Sequence, residues 1–265
     1  MVDLTKLDRP TTARHLGKPE GEIGLALADS MSERNWPVYQ AALKRLDPRP
    51  GNRLFEVGFG DGKLVPQLLA LAVDLTYAGI DYSETMVGEA EAFNRHLIES
   101  GKASFGLASV EAVPFADESF DRALTVNTIY FWADPIRSLV EIRRVLRPDG
   151  ILLLSVGSPE EMAKAWQARY GFRIYDEQQL RDLHRKAGFR RTDVERYRDT
   201  AATLDRSGTV EREELFVISA ARLSSVGATA VGWPGFPPGL FIFSQHWAGR
   251  SFGYMRSRRR KVMNG

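Results

Sequence analysis

The sequence predicts an α/β protein with a doubly wound, seven-stranded, mostly parallel sheet behind an N-terminal helical lid. Three observations carry this reading. Short apolar runs alternate with helical periodicity from residue 51 to residue 221. One buried run, Leu54-Phe55-Glu56-Val57, opens directly into the glycine turn Gly58-Phe59-Gly60-Asp61-Gly62 and then a helix. An acid, Asp81, closes the next apolar run about twenty residues on. The chain has 265 residues, 43% of them hydrophobic, enough for one large core with additions.

The elements follow in order. The first thirty residues are broken by Gly17, Pro19, Gly21 and Gly24, and a helix is expected from Ser32, with Trp36, Val38, Tyr39, Ala42, Leu43 and Leu46 at mostly helical spacing. Pro37 fits only its first turn, and Pro48 and Pro50 end it. Strands are expected at Arg53–Val57, Leu75–Asp81, Ala103–Ala108, Phe120–Asn127 and Ile151–Val156, with closing strands at Arg190–Tyr197 and Leu215–Ala220. Helices are expected at Lys63–Leu71, from a Ser83 cap to about Ser100, at Pro135–Leu146 and at Asp176–Ala187. The turn Pro148-Asp149-Gly150 introduces the fifth strand. Right-handed crossovers then place helices on both faces. Three regions result: residues 1–50 as a helical lid, 51–221 as the α/β domain, and 222–265 as a tail.

Composition bounds the function. The chain has no cysteine, which excludes disulfides, thiolate zinc sites and cysteine nucleophiles and fits a cytoplasmic location. No run offers ~20 uninterrupted apolar residues, so no membrane span is expected. The formal net charge is +2, but residues 222–265 hold seven basic residues and no acid, leaving residues 1–221 at −5. Basicity therefore belongs to the tail and gives no argument for nucleic acid as a partner.

The glycine turn lets the backbone bend tightly and approach a ligand where a Cβ would collide. The following helix N-terminus adds unpaired N–H groups. At the end of the second strand, the Asp81 carboxylate is placed to accept both hydroxyls of a ribose. The spacing is G-x-G-x-G, not the dinucleotide G-x-G-x-x-G, because Lys63 stands where the last glycine would be. Glu56, two residues before the turn, is awkward for a pyrophosphate and suits a ligand carrying an ammonium and a sulfonium.

From about Gly51 to Ala220 the sequence resembles class I S-adenosylmethionine-dependent methyltransferases, a group that includes ubiquinone- and menaquinone-biosynthesis enzymes. Four blocks in order carry the resemblance: Glu56–Gly62, Gly79–Met86, Ser109–Asp121, and Val126–Pro135 with Leu146–Gly150. It implies a cofactor, S-adenosylmethionine, held by Glu56, Gly58, Phe59 and Gly60 at its methionine end and by Asp81 at its ribose. Tyr82 and Met86 would cover the adenine, and Ser109 and Val110 would read its edge. Ser109 departs from the usual Asp, keeping a hydroxyl that accepts and donates but losing the charge. Asn127 would end the fourth strand beside the cofactor, and Asn35 on the lid helix would stand near its carboxylate. The implied activity is methyl transfer to a small-molecule acceptor.

No catalytic residue is required, since an in-line displacement needs a base only for an acceptor that holds its proton. Tyr130, Phe131 and Trp132 are the candidates for the acceptor pocket, with His15 as a further one that reads more simply as an exposed loop histidine. His96 and His184 read as surface residues, and no metal site is expected. The tail reads as an extension, with a dimerisation arm, and so a homodimer, among its alternatives. Two rival functions stay open: an NAD(P)-dependent oxidoreductase, disfavoured by the missing third glycine, and a catalytically silent relative acting as a partner subunit. The run Asn127-Thr128-Ile129-Tyr130 lacks the Pro-Pro of nucleic-acid amino-methylating enzymes, which disfavours a nucleic-acid acceptor.

Overall fold

The computed structural model describes residues 2–205 and 208–221, with backbone alone over 199–211. The expected readings of the tail, residues 222–265, lie outside the described residues. Eight α-helices and seven strands occur among the described residues. The strands are β1 (Arg53–Val57), β2 (Thr76–Asp81), β3 (Ala103–Leu107), β4 (Phe120–Val126), β5 (Leu146–Gly157), β6 (Arg191–Asp205) and β7 (Gly208–Ala220). They form one sheet in the order β3-β2-β1-β4-β5-β7-β6. The β1 to β5 neighbours pair in parallel, and β7 runs antiparallel to both β5 and β6. The strand order reverses between β1 and β4, and in such sheets the crevice beyond the strand ends at that switch point is where ligands bind.

The central strands are near-continuous apolar runs because helices cover both faces. Leu152, Leu153 and Leu154 of β5 are fully buried, as are Leu215 and Phe216 of β7. Phe55 of β1 stacks on Phe120 of β4 at 5.1 Å and meets Phe115 edge-on at 5.8 Å. Each such side chain contributes ~1.5–3 kcal/mol by leaving water.

The N-terminal region is more helical than its glycines suggest. Helix α1 spans Arg9–Gly17, capped by Asp8, whose side chain accepts from the Thr11 N–H at 2.7 Å. Helix α2 spans Gly21–Leu46 and starts eleven residues before Ser32. Gly24 acts as a packing residue, since a Cβ there would lie 2.6 Å from the Pro19 backbone. Pro37 therefore falls inside α2, not in its first turn; the N–H it lacks would have bonded Glu33, on the solvent-facing side.

Other boundaries move, and the closing strands β6 and β7 run longer than the expected Arg190–Tyr197 and Leu215–Ala220. Helix α3 is confined to Val65–Leu69. The helix expected from Ser83 to Ser100 is two, α4 (Glu84–Phe93) and α5 (Arg95–Glu99), broken at Asn94. The buried Asn94 amide donates to the Gly62 and Ala90 carbonyls at 3.0 Å, drawing the chain onto the glycine turn. Helix α6 spans Pro135–Val145, and β5 starts five residues earlier than Ile151. Between β5 and α8 (Glu177–Lys186) lie α7 (Pro159–Lys164) and a 3-10 turn, Trp166–Tyr170, neither expected from sequence.

His184 corrects its surface reading. It lies one turn after Leu180 on the inward face of α8, fully buried, with Nδ1 2.7 Å from Ser219 Oγ. Burial lowers its pKa to about 3, so the ring is neutral. His15 is likewise buried, on α1, and its Nδ1 accepts from the Glu20 N–H at 3.3 Å. No helix among the described residues is long and apolar enough to cross a membrane.

Candidate cofactor and acceptor cavity

A cavity of about 340 Å³ opens at the carboxyl ends of β1, β2 and β4, under the α1–α2 connection. Its floor is the glycine turn. Gly58 has φ +75°, and a Cβ there would strike Thr128 Cγ2 at 2.4 Å. Gly60 has φ +62° and nothing within 4 Å of where a Cβ would stand, so its backbone faces open space. Only glycine adopts both conformations without strain.

Asp81 sits across the turn. Its Oδ2 accepts from the Gly60 N–H at 3.2 Å and its Oδ1 from the Ser83 N–H at 2.9 Å. Burial pushes its pKa up to about 6 against the pull of these backbone donors. Glu56, the penultimate residue of β1, is 3% exposed. Its Oε2 accepts from the Tyr39 and Tyr77 hydroxyls at 2.9 and 2.8 Å. Burial raises its pKa to about 7, the two tyrosines lower it, and the Asp81 charge adds a smaller upward push. A cation in the cavity would favour ionisation of both acids.

Helix α2 meets the turn through a ladder of polar contacts. Ser32 Oγ donates to Asp61 Oδ1 at 2.8 Å, and Lys63 Nζ bridges Asp61 and Asp29 at 3.2 and 2.6 Å. Ser32, Asn35 and Tyr39 share one face of α2 at i, i+3 and i+7 and all line the cavity. Asn35 Oδ1 accepts from Arg212 Nη1 at 2.9 Å, which turns the amide nitrogen away from the guanidinium. Arg212 is itself held by Glu214, which also accepts from Ser155 Oγ. The α1–α2 connection is fastened over the second strand end: the Tyr82 hydroxyl donates to the Gly17 carbonyl and Ser83 Oγ to the Pro19 carbonyl.

The other sequence-derived candidates divide. Phe59, Tyr82, Met86, Ser109, Val110, Asn127, Phe131 and Trp132 line the cavity. Ser109 Oγ also accepts from the Glu111 N–H at 3.2 Å. His15 and Tyr130 are not in the lining. Tyr130 is buried behind it: its hydroxyl accepts from the Gly157 N–H at 2.6 Å and donates to Asn127 Oδ1 at 2.9 Å. Phe131 packs between Gly17 and Phe172, whose ring centroid is 4.7 Å away. Tyr39, Tyr77, Ser32, Asp61 and Thr128 were missed; the i, i+3, i+7 spacing of Ser32, Asn35 and Tyr39 was the one available signal.

The lining tests which nucleotide fits. Among the described residues it holds four carboxylates, Glu56, Asp61, Asp81 and Glu111, and no Lys, Arg or His. A dinucleotide would bring a diphosphate into this acidic field, whereas a cofactor carrying an ammonium and a sulfonium is matched to it.

Comparisons with known proteins agree. Residues 55–154 match the family described as a methyltransferase domain. An O-methyltransferase of Pyrenophora dematioidea is 32% identical over 155 residues, 56% of this chain and 58% of that protein. The match thus spans little more than half of that relative. A SAM-dependent methyltransferase of Thermotoga maritima superposes with TM-score 0.53 at 25% identity, covering 73% of this chain and 96% of that one. Another, of Aquifex aeolicus, gives TM-score 0.56 at 20% identity over 80% of this chain and 99% of that one. With the strand order and the glycine turn, these likenesses show that residues 55–154 are similar to the methyltransferase domain and that the sheet has the fold of S-adenosylmethionine-dependent methyltransferases.

Proposed function

We propose that the protein transfers a methyl group from S-adenosylmethionine to an oxygen of a small-molecule acceptor. The observation that carries this is the cavity at the switch point, whose charged residues among those described are all acids, with Asp81 and Glu56 lining it together with an open glycine turn. S-adenosylmethionine, when bound, supplies a methyl group made electrophilic by its sulfonium.

The chain's own residues then have distinct tasks. Asp81 accepts the ribose hydroxyls, and Gly58 and Gly60 admit the methionine portion. Glu56, steadied by Tyr39 and Tyr77, accepts from the ammonium, and Asn35 offers its amide N–H groups to the carboxylate. Tyr82, Met86, Ser109 and Val110 surround the base. Residues 1–50 act as a lid that excludes water, and Phe131 and Trp132 wall the acceptor side, where close in-line placement lowers the barrier by several kcal/mol. Oxygen as the target is favoured by the relatives named O-methyltransferase. The cysteine-free composition suits a reducing, cytoplasmic location.

The test is to incubate the full chain with S-adenosylmethionine and a panel of neutral hydroxylated aromatics, measuring S-adenosylhomocysteine release. Release above the acceptor-free rate, absent in Asp81→Ala, supports the reading. Binding of the cofactor with no release across the panel would favour the catalytically silent alternative.

A further inference from the structure

Asn127 ends β4 in a left-handed conformation, φ +59°, that asparagine tolerates better than most side chains. Its amide orientation is fixed by a one-way chain of hydrogen bonds. The Gly157 backbone N–H can only donate, and it donates to the Tyr130 hydroxyl oxygen. The single Tyr130 proton then goes to Asn127 Oδ1. Reversing the amide would leave that buried proton without an acceptor, at a cost of ~1–3 kcal/mol. Burial keeps Tyr130 protonated far above its ordinary range, aided by the nearby Glu214 charge. The Asn127 oxygen is thus spoken for, and its Nδ2 has no hydrogen-bond partner among the described residues and is not a buried orphan. Asn127 lines the cavity together with the glycine turn, Phe131 and Trp132.

We propose that Asn127, held by Tyr130, is a specificity-determining donor that selects acceptors presenting an oxygen lone pair and rejects ammonium groups. This rests on the methyltransferase reading and narrows its substrate class: an uncharged, apolar or aromatic compound with a hydroxyl, enol or carbonyl oxygen beside Asn127. Tyr130 is a positioning residue. It lies outside the cavity lining and acts only by keeping the amide from turning over.

The test uses the full chain saturated with S-adenosylhomocysteine and three probes on one naphthalene ring: 2-naphthol, 2-methoxynaphthalene and 2-naphthylmethylammonium, the last two matched in size. Wild type is expected to bind the two oxygen probes about tenfold more tightly than the ammonium, the size of one satisfied against one unpaired hydrogen bond. Asn127→Asp is isosteric and keeps the bond from Tyr130, but turns an acceptor to the cavity; the preference for 2-methoxynaphthalene over the ammonium should reverse, whereas 2-naphthol can donate its hydroxyl to the carboxylate and stay bound. Tyr130→Phe frees the amide and should bring the probes within about threefold of one another, with S-adenosylhomocysteine affinity and folding retained. A purely structural role for Tyr130 would change the melting temperature without changing the preference. Binding of S-adenosylhomocysteine with no preference for oxygen probes, with no naphthyl probe bound, or with the preference for 2-methoxynaphthalene intact in Asn127→Asp would overturn the proposal and leave the methyltransferase reading standing. Failure to bind S-adenosylhomocysteine at all would remove that reading, and this inference with it.

Discussion

Asp81 and Phe131 line the same cavity but are held there by different means. Asp81 is fixed by the backbone N–H groups of Gly60 and Ser83, from adjoining strand-end turns of the sheet. Phe131 is fixed by side-chain packing against Gly17 of α1 and Phe172, far apart in the chain. On the proposed reading, the cofactor side is built from backbone geometry and the acceptor side from side chains of three separate segments.

That contrast sets the order of expected effects. Asp81→Ala should weaken S-adenosylhomocysteine binding by about 100-fold or more, the loss of two hydrogen bonds to a charged group. The fold should be retained, because the relief of removing a buried carboxylate is set against two backbone N–H groups left without that acceptor. Unchanged affinity in calorimetry would place the ribose elsewhere. Gly60→Val should cost about 30-fold in affinity, since a β-branched residue is strained at φ +62° and intrudes on open space; a variant that binds normally would break the backbone account.

The third effect is on pH dependence. Glu56 titrates near 4.5 when unfolded and about 7 when folded. Its ionisation therefore costs apoprotein stability progressively as pH rises from 4.5 through 7. A cationic ligand favours the ionised form, so affinity should rise about fivefold between pH 6 and 7, about tenfold by pH 8, and flatten above that. Calorimetry in buffers of differing ionisation heat should show proton release near pH 7, absent in Glu56→Gln. Phe131→Ala, by contrast, should leave S-adenosylhomocysteine affinity within about threefold while lowering acceptor turnover. A large loss of cofactor affinity there would show that the two sides are one unit.

The smallest effect lies away from the cavity. His184 titrates near 6.5 unfolded and about 3 folded. Its neutral burial thus costs stability progressively as pH falls below 6.5, by at most about 1.4 kcal/mol per unit. Denaturant titrations of wild type and His184→Gln should show a stability difference that shifts in the variant's favour toward low pH. A difference independent of pH would contradict the neutral buried ring.

What the sequence disclosed follows the same division. Gly58, Gly60 and Asp81 are legible because a strand, a tight turn and a second strand place them by local rules and fixed spacing. Of the two closing strands, Leu215–Ala220 was legible as an apolar run that buries in a sheet, whereas Arg190–Tyr197 is largely polar and sits at the sheet edge. Less legible were features decided by distant partners. Gly24 reads as a helix breaker until Pro19 is seen against it. His184 reads as surface among Arg and Lys neighbours until Ser219 is seen opposite it. Tyr130 reads as a cavity wall, yet Gly157 and Asn127 draw its hydroxyl behind that wall.

Calorimetric titration with S-adenosylhomocysteine, S-adenosylmethionine, NAD and NADP tests the central claim most directly, that this acidic cavity is a sulfonium-nucleotide site. The account predicts micromolar binding of the two sulfur nucleotides and none of the nicotinamide pair. Binding of NAD or NADP, or of no nucleotide, would contradict it.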